Sequence, residues 1–70
     1  MERISLAITG MSCGHCVGAV RRALEGLDGV RVEQVAIGTA TVAIDPARAT
    51  ADSITTAIED AGYLAHVAGR

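Results

Sequence analysis

Apolar and polar positions alternate over residues 3–9. Ile4, Leu6 and Ile8 share one face and Arg3, Ser5, Ala7 and Thr9 the other, which is the period of a half-buried strand. Gly10 breaks the alternation, and a loop runs through Met11 to Gly14. Over residues 15–27 the apolar spacing lengthens. Val17, Val20, Leu24 and Leu27 form one helical stripe, and Arg21, Arg22 and Glu25 fall off it. Ser12 suits the N-cap of this helix, and Leu27-Asp28-Gly29 ends it, the glycine being free to take a positive φ. Residues 30–37 and 39–44 read as two strands of a hairpin joined at Gly38-Thr39. The second alternates cleanly through Ala40, Val42 and Ile44. In the first, Val30 and Val32 have one parity and Val35 and Ile37 the other, which predicts a bulge or a late start near Glu33-Gln34. The later parity is taken as the core-facing one, because a one-residue slip would turn the apolar face outward. Asp45-Pro46 ends the hairpin, and Thr50 or Asp52 is the next N-cap. Ile54, Ala57, Ile58 and Ala61 make a second helical stripe closed by Gly62. A last strand fits residues 64–67.

The order is strand, helix, strand, strand, helix, strand. Its natural closure is α+β: a ferredoxin-like βαββαβ sandwich, with a four-stranded antiparallel sheet and two helices on one face. Residues 1–70 make one domain, since 70 residues leave no room for a second. The apolar half of the composition is mainly Ala, Val, Ile and Leu, with Tyr63 the single aromatic. Such a core fits thin packed layers better than a large ligand cavity. The formal charge is −2 and the six basic residues, all Arg, are scattered apart from Arg21-Arg22. That gives no electrostatic case for nucleic acid. Arg21 and Arg22 read as a solvated helix face. The first residues contain no apolar h-region, and no run approaches the ~18 apolar residues of a membrane span. Neither export nor membrane insertion is therefore expected, the thiols are expected to be reduced, and the expected compartment is the cytoplasm. Met1 at the start and a strand ending just before Arg70 suit a free-standing protein.

Candidate chemistry is concentrated in Gly10-Met11-Ser12-Cys13-Gly14-His15-Cys16, which holds both cysteines of the chain. The thiolate is both the metal ligand and the nucleophile, and a helix start lowers thiol pKa through its unpaired N–H groups and macrodipole. Two thiols at such a turn can hold a soft metal ion or exchange disulfides. A low-coordinate pair of sulfurs suits Cu(I). Structural Zn²⁺ takes four protein ligands, and the chain has two cysteines and two histidines. Cys-Gly-His-Cys is also the active-site tetrad of protein disulfide isomerases, whose domains resemble thioredoxin. Those have an aromatic residue before the tetrad, a longer chain and a cis-proline facing the cysteines. Here Ser12 precedes Cys13, and Pro46 follows Asp45 at an ordinary turn. A thiol-disulfide oxidoreductase is thus the weaker alternative. Met11 reads as a core residue, and His66 as a surface residue.

Gly-Met-Ser-Cys-Gly-His-Cys resembles the Gly-Met-x-Cys-x-x-Cys signature of heavy-metal-associated domains, found in copper chaperones and at the amino termini of metal-exporting P-type ATPases. The resemblance extends to Leu27-Asp28-Gly29-Val30, the Gly38 hairpin, Asp45-Pro46 and Glu59-Asp60-Ala61-Gly62-Tyr63. It implies that Cys13 and Cys16 are Cu(I) ligands and that Met11 anchors the loop from the core without ligating. It matches Tyr63 to a residue facing the metal site, and places Ser12 where zinc- and cadmium-directed relatives often have Asp. It further implies a non-enzymatic cytoplasmic metallochaperone that delivers copper to the metal-binding domain of a copper-transporting P-type ATPase. The variant expectation is a metal-binding domain excised from such an ATPase. His15, between the two ligands, tunes the thiolates, serves as an occasional third ligand, or helps copper bridge a homodimer. A mercury-binding periplasmic relative is a further alternative. Glu33 departs from the family, standing where a β-branched apolar residue is more common.

Overall fold

The computed structural model describes residues 2–11 and 14–69 of the 70. The elements are β1 (Glu2–Thr9), α1 (Gly14–Glu25), β2 (Val30–Ala36), β3 (Thr39–Ile44), α2 (Ala51–Asp60) and β4 (Leu64–Gly69). They form one four-stranded sheet in the order β2-β3-β1-β4, with every neighbouring pair antiparallel. Each strand–helix–strand unit leaves a gap one strand wide, and the first strand of the other unit fills it. This is the ferredoxin-like βαββαβ fold.

The side chains that alternate toward one face of the central strands, Ile4, Leu6 and Ile8 on β1 and Ala40, Val42 and Ile44 on β3, are all buried. Val20 and Leu24 of α1 and Ile54 and Ile58 of α2 enter the same cluster, so both helices cover that face. Burying each large aliphatic side chain contributes about 1.5–3 kcal/mol, and this shared layer is what fixes the helices. Neither described helix is long and apolar enough to cross a membrane.

Local chemistry sets the element ends. Thr50 is the N-cap of α2: its Oγ1 accepts from Ser53 N at 3.2 Å, and Ser53 Oγ accepts from Thr50 N at 3.1 Å. This reciprocal capping box satisfies two helix-end donors, which Asp52, already inside the helix, could not do. α1 begins one residue before the expected His15 and ends at Glu25, short of Leu27. Ala61 is the exposed C-cap of α2 and not a member of its buried stripe. Gly62 then turns the chain with φ +101° into a final strand two residues longer than expected, reaching Gly69.

The parity break in β2 is a bulge. Its register against β3 shifts between Val32 and Gln34, leaving Glu33 as the extra residue. The bulge absorbs the frame change, so Val30, Val32 and Val35 all pack on the core. The expectation that only the later parity faces inward, with Ile37 at its end, is corrected accordingly. Ile37 and Gly38 form the hairpin turn, and Ile37 is 58% exposed. Glu33, pushed out on the open face, receives Arg3 Nε at 2.6 Å and Arg3 Nη2 at 3.3 Å across β3. The small Ala43, which pairs with both Arg3 and Arg31, leaves room for that reach.

Candidate metal centre

The loop between β1 and α1 is fixed at both ends. Gly10 leaves β1 with φ +97°, a conformation that side chains beyond glycine rarely adopt. Met11 follows immediately and turns into the core, 9% exposed and packed with Ile8, Val20 and the rest of the cluster. Its burial matches the reading of Met11 as a core residue. Ser12 and Cys13 lie outside the described residues, and with them the expected N-cap and one of the two expected ligands.

At the far end, Gly14 and His15 are exposed in the first turn of α1, and Cys16 is the third residue of the helix. Cys16 is half-buried, with its inner side against the core cluster. The first turn of α1 contains no acidic residue. The positive end of the helix dipole is therefore available to a thiolate without competition from a neighbouring carboxylate. Arg21 pairs with Glu25 at 3.1 Å one turn further on, along the exposed side of the helix.

Tyr63 faces this loop. Its backbone N–H donates to Ile58 O at 3.2 Å as α2 unwinds. Its ring lies over Gly10, so close that a Cβ built there would be 3.6 Å from Tyr63 Cδ1. The half-buried ring thus packs both on the core and on the first residue of the loop. His66 sits elsewhere, on the open face of the sheet in register with Ala7. Among the described residues no three His, Cys, Asp or Glu side chains gather closely enough to hold an ion together.

Two neighbours escaped the sequence reading. The N–H of Ile8 donates to Gly38 O at 2.9 Å, which brings the hairpin tip beside the end of β1, and Leu64 pairs with Thr9. Ile37 and Leu64, the two exposed large aliphatic residues among those described, therefore both stand at the loop end of the sheet. Strand parity alone would have assigned Ile37 to the core, and only the two-residue turn reveals otherwise.

Comparison with known proteins agrees with this geometry. The heavy-metal-associated domain family matches residues 5–63. The copper chaperone CopZ of Staphylococcus aureus is 40% identical over 65 residues, covering 90% of this chain and 96% of that protein. A copper-binding domain from HMA7, a P-type ATPase, superposes with a TM-score of 0.92 at 36% identity, covering 96% of this chain and 93% of its own. The yeast copper transporter domain CCC2A, solved in apo and Cu(I)-loaded states, gives a TM-score of 0.86 at 30% identity over 99% of this chain and 97% of its own. With the family matched over most of its length, including the loop and both its anchors, the chain belongs to the heavy-metal-associated domain family.

Proposed function

We propose that the chain, acting over residues 1–70 as one domain, is a cytoplasmic Cu(I) metallochaperone that holds its cargo between Cys13 and Cys16. The observation that carries this reading is the position of Cys16. It stands in the first turn of α1, at the positive end of the dipole and beside exposed residues, three positions after Cys13 in the signature loop. Two thiolates there form a soft, low-coordinate site of the kind Cu(I) accepts. The CopZ name of a relative at 40% identity supports copper as the cargo, and the Cu(I)-loaded state of the CCC2A domain supports the oxidation state.

Transfer proceeds by thiolate exchange. A thiolate of the acceptor adds to Cu(I) to give a three-coordinate intermediate, and one of Cys13 and Cys16 then departs. The metal changes owner without changing charge, and no substrate is converted, so the chain is a carrier and not an enzyme. The acceptor is the metal-binding domain of a copper-transporting P-type ATPase, a partner whose fold the HMA7 and CCC2A domains represent. Met11 holds the loop from below, and Tyr63 packs against its first residue.

Anaerobic titration with Cu(I) against a competing chelator tests the reading. The chain is expected to retain one Cu(I), and Cys13→Ser and Cys16→Ser are each expected to surrender it. Loss of copper from the unsubstituted chain at chelator levels that strip only adventitious sites would end the proposal. Catalytic turnover in an insulin-reduction assay would instead favour the oxidoreductase. The likeness to the HMA7 domain supports a second reading, in which the same clasp belongs to a metal-binding domain cut from an ATPase. Immunoblotting for the size of the native chain separates the two.

A further inference from the structure

β2 and β4 are the two edges of the sheet, and they differ in how they meet a further strand. The β2 edge carries Arg31, Glu33 and the bulge at Glu33, features that discourage strand addition. β4 contains no proline and no Asp, Glu, Lys or Arg, and alternates exposed with half-buried residues; its own register shift against β1 lies at Ala68, beyond the regular stretch from Leu64 to Val67.

The direction of its hydrogen bonds follows from the register. Because Ile8 N–H donates to Gly38 O, the polar groups of Ile8 and Leu6 point toward β3, and those of Ala7 and Thr9 toward β4. Ala7 pairs with His66 and Thr9 with Leu64, while Ile8 pairs with Ala65 and Leu6 with Val67. His66 and Leu64 therefore close the ladder with β1. The N–H and C=O groups of Ala65 and Val67 point outward, and among the described residues no turn, loop or side chain takes them up.

We propose that two copies of the chain pair antiparallel through β4, without a metal, and so join their sheets into one. A two-fold axis through His66 sets Ala65 opposite the partner's Val67, and Val67 opposite the partner's Ala65. Each is a doubly hydrogen-bonded pair, so this register uses every outward group of the two residues. No Asp, Glu, Lys or Arg is opposed across this contact, and the two His66 side chains meet at the axis. Pairing β4 with the partner's β2 would instead confront Arg31 and Glu33 and, being heterologous, would build rings or filaments and not a closed pair. The contact is short, and its area falls below the ~1,200 Å² of stable complexes, so the dimer is weak and in rapid exchange. It differs from copper-bridged pairing in using the sheet edge and not the Cys13–Cys16 loop.

Sedimentation equilibrium and NMR dilution of the reduced full chain, with a chelator present, test the proposal independently of any copper function. The apparent mass is expected to climb toward twice that of the monomer as concentration reaches about 1 mM, the range of weak contacts. The amide signals of Ala65 and Val67 are expected to shift with it, while those of Arg31 and Gln34 stay fixed. Ala65→Pro removes an N–H that only the partner uses and is tolerated at an edge, so it is expected to leave a folded monomer. A constant monomer mass, concentration-dependent shifts confined to other elements, or a folded Ala65→Pro chain that still dimerises would each overturn the proposal. Should that variant fail to fold, the dilution series on the unsubstituted chain decides alone.

Discussion

Met11 is the test of whether the loop is held by packing or by ligation. Its side chain lies at the rim of the core, buried among Ile8, Val20 and their neighbours. Truncating a buried Met to Ala costs about 2–5 kcal/mol, and a rim position belongs at the lower end, about 2–3 kcal/mol. A chain of 70 residues has a total stability of about 3.5–10 kcal/mol at the usual per-residue value. Met11→Ala should therefore remove a large share of it and lower Tm by about 10–20 °C in the metal-free protein. Met11→Leu keeps the volume and the apolar character, and should cost less than about 1.5 kcal/mol.

The copper readout separates the two roles. If the thioether only anchors, Met11→Leu should retain Cu(I) against a chelator as the unsubstituted chain does. Met11→Ala should regain stability when copper is added, by about 4 kcal/mol at a free Cu(I) level 1,000-fold above Kd. Thermal denaturation by circular dichroism, with and without Cu(I), together with chelator competition, provides both measurements. A tenfold or greater loss of Cu(I) retention in Met11→Leu would mean that the sulfur is a ligand. A Met11→Ala cost below about 0.5 kcal/mol would mean that the loop has no anchor there. Either result refutes the packing account.

Other substitutions probe the supports of the same architecture. Gly29→Ala combines a φ of +77° with a Cβ that would approach Arg48 Cβ to 2.6 Å, and it disturbs the Asp45 N–H bond to Gly29 O. Urea denaturation should show a loss of about 2–3 kcal/mol. Tyr63→Ala removes the ring over Gly10 and should accelerate amide exchange at Gly10 and Met11, whereas Tyr63→Phe, which keeps the ring, should not. Glu33→Val puts a β-branched apolar residue at the bulge and breaks an exposed ion pair with Arg3. Its effect should stay within about 1 kcal/mol and shrink in high salt, as measured by denaturation at two ionic strengths.

Most of the fold was legible because binary patterning, turn chemistry and length agreed. The alternation at Ile4, Leu6 and Ile8 and the stripe through Val20 and Leu24 placed the core, and all five residues are buried. The bulge was also legible, since a parity change inside one strand has few other solutions. What it does was not. Parity says that a frame shift occurs but not that both frames reach the core, so Ile37 was assigned inward when it is in fact a turn residue. Helix ends were read from residue type, and Thr50 could be chosen over Asp52 only once the reciprocal bonds with Ser53 were seen. At the signature loop the motif supplied the candidate ligands, and the structure adds the contact of Tyr63 with Gly10, a long-range approach that no local pattern encodes. The sheet order matters for the same reason. It alone makes β4 an edge and brings Ile37 and Leu64 to one end.

The arrangement of the loop bears on how a carrier can hold a metal firmly and still give it up. Retention needs ligands whose geometry is prepared before the ion arrives. Release by exchange needs an open side where an entering thiolate can add. A loop buried on all sides would meet the first need and defeat the second, and a free loop would do the reverse. On the proposed function the two needs would fall on different residues. Met11 is buried in the core and Cys16 rests its inner side on the core cluster, while Gly14 and His15 are exposed. Tyr63 packs beside Gly10, the first residue of the loop. Among the described residues the support thus comes from the core and from Tyr63, and the first turn of α1 is exposed. On the proposed transfer by thiolate exchange, a ligand would add before one is lost, and the rate would then depend on access for the partner and not on spontaneous release of the ion.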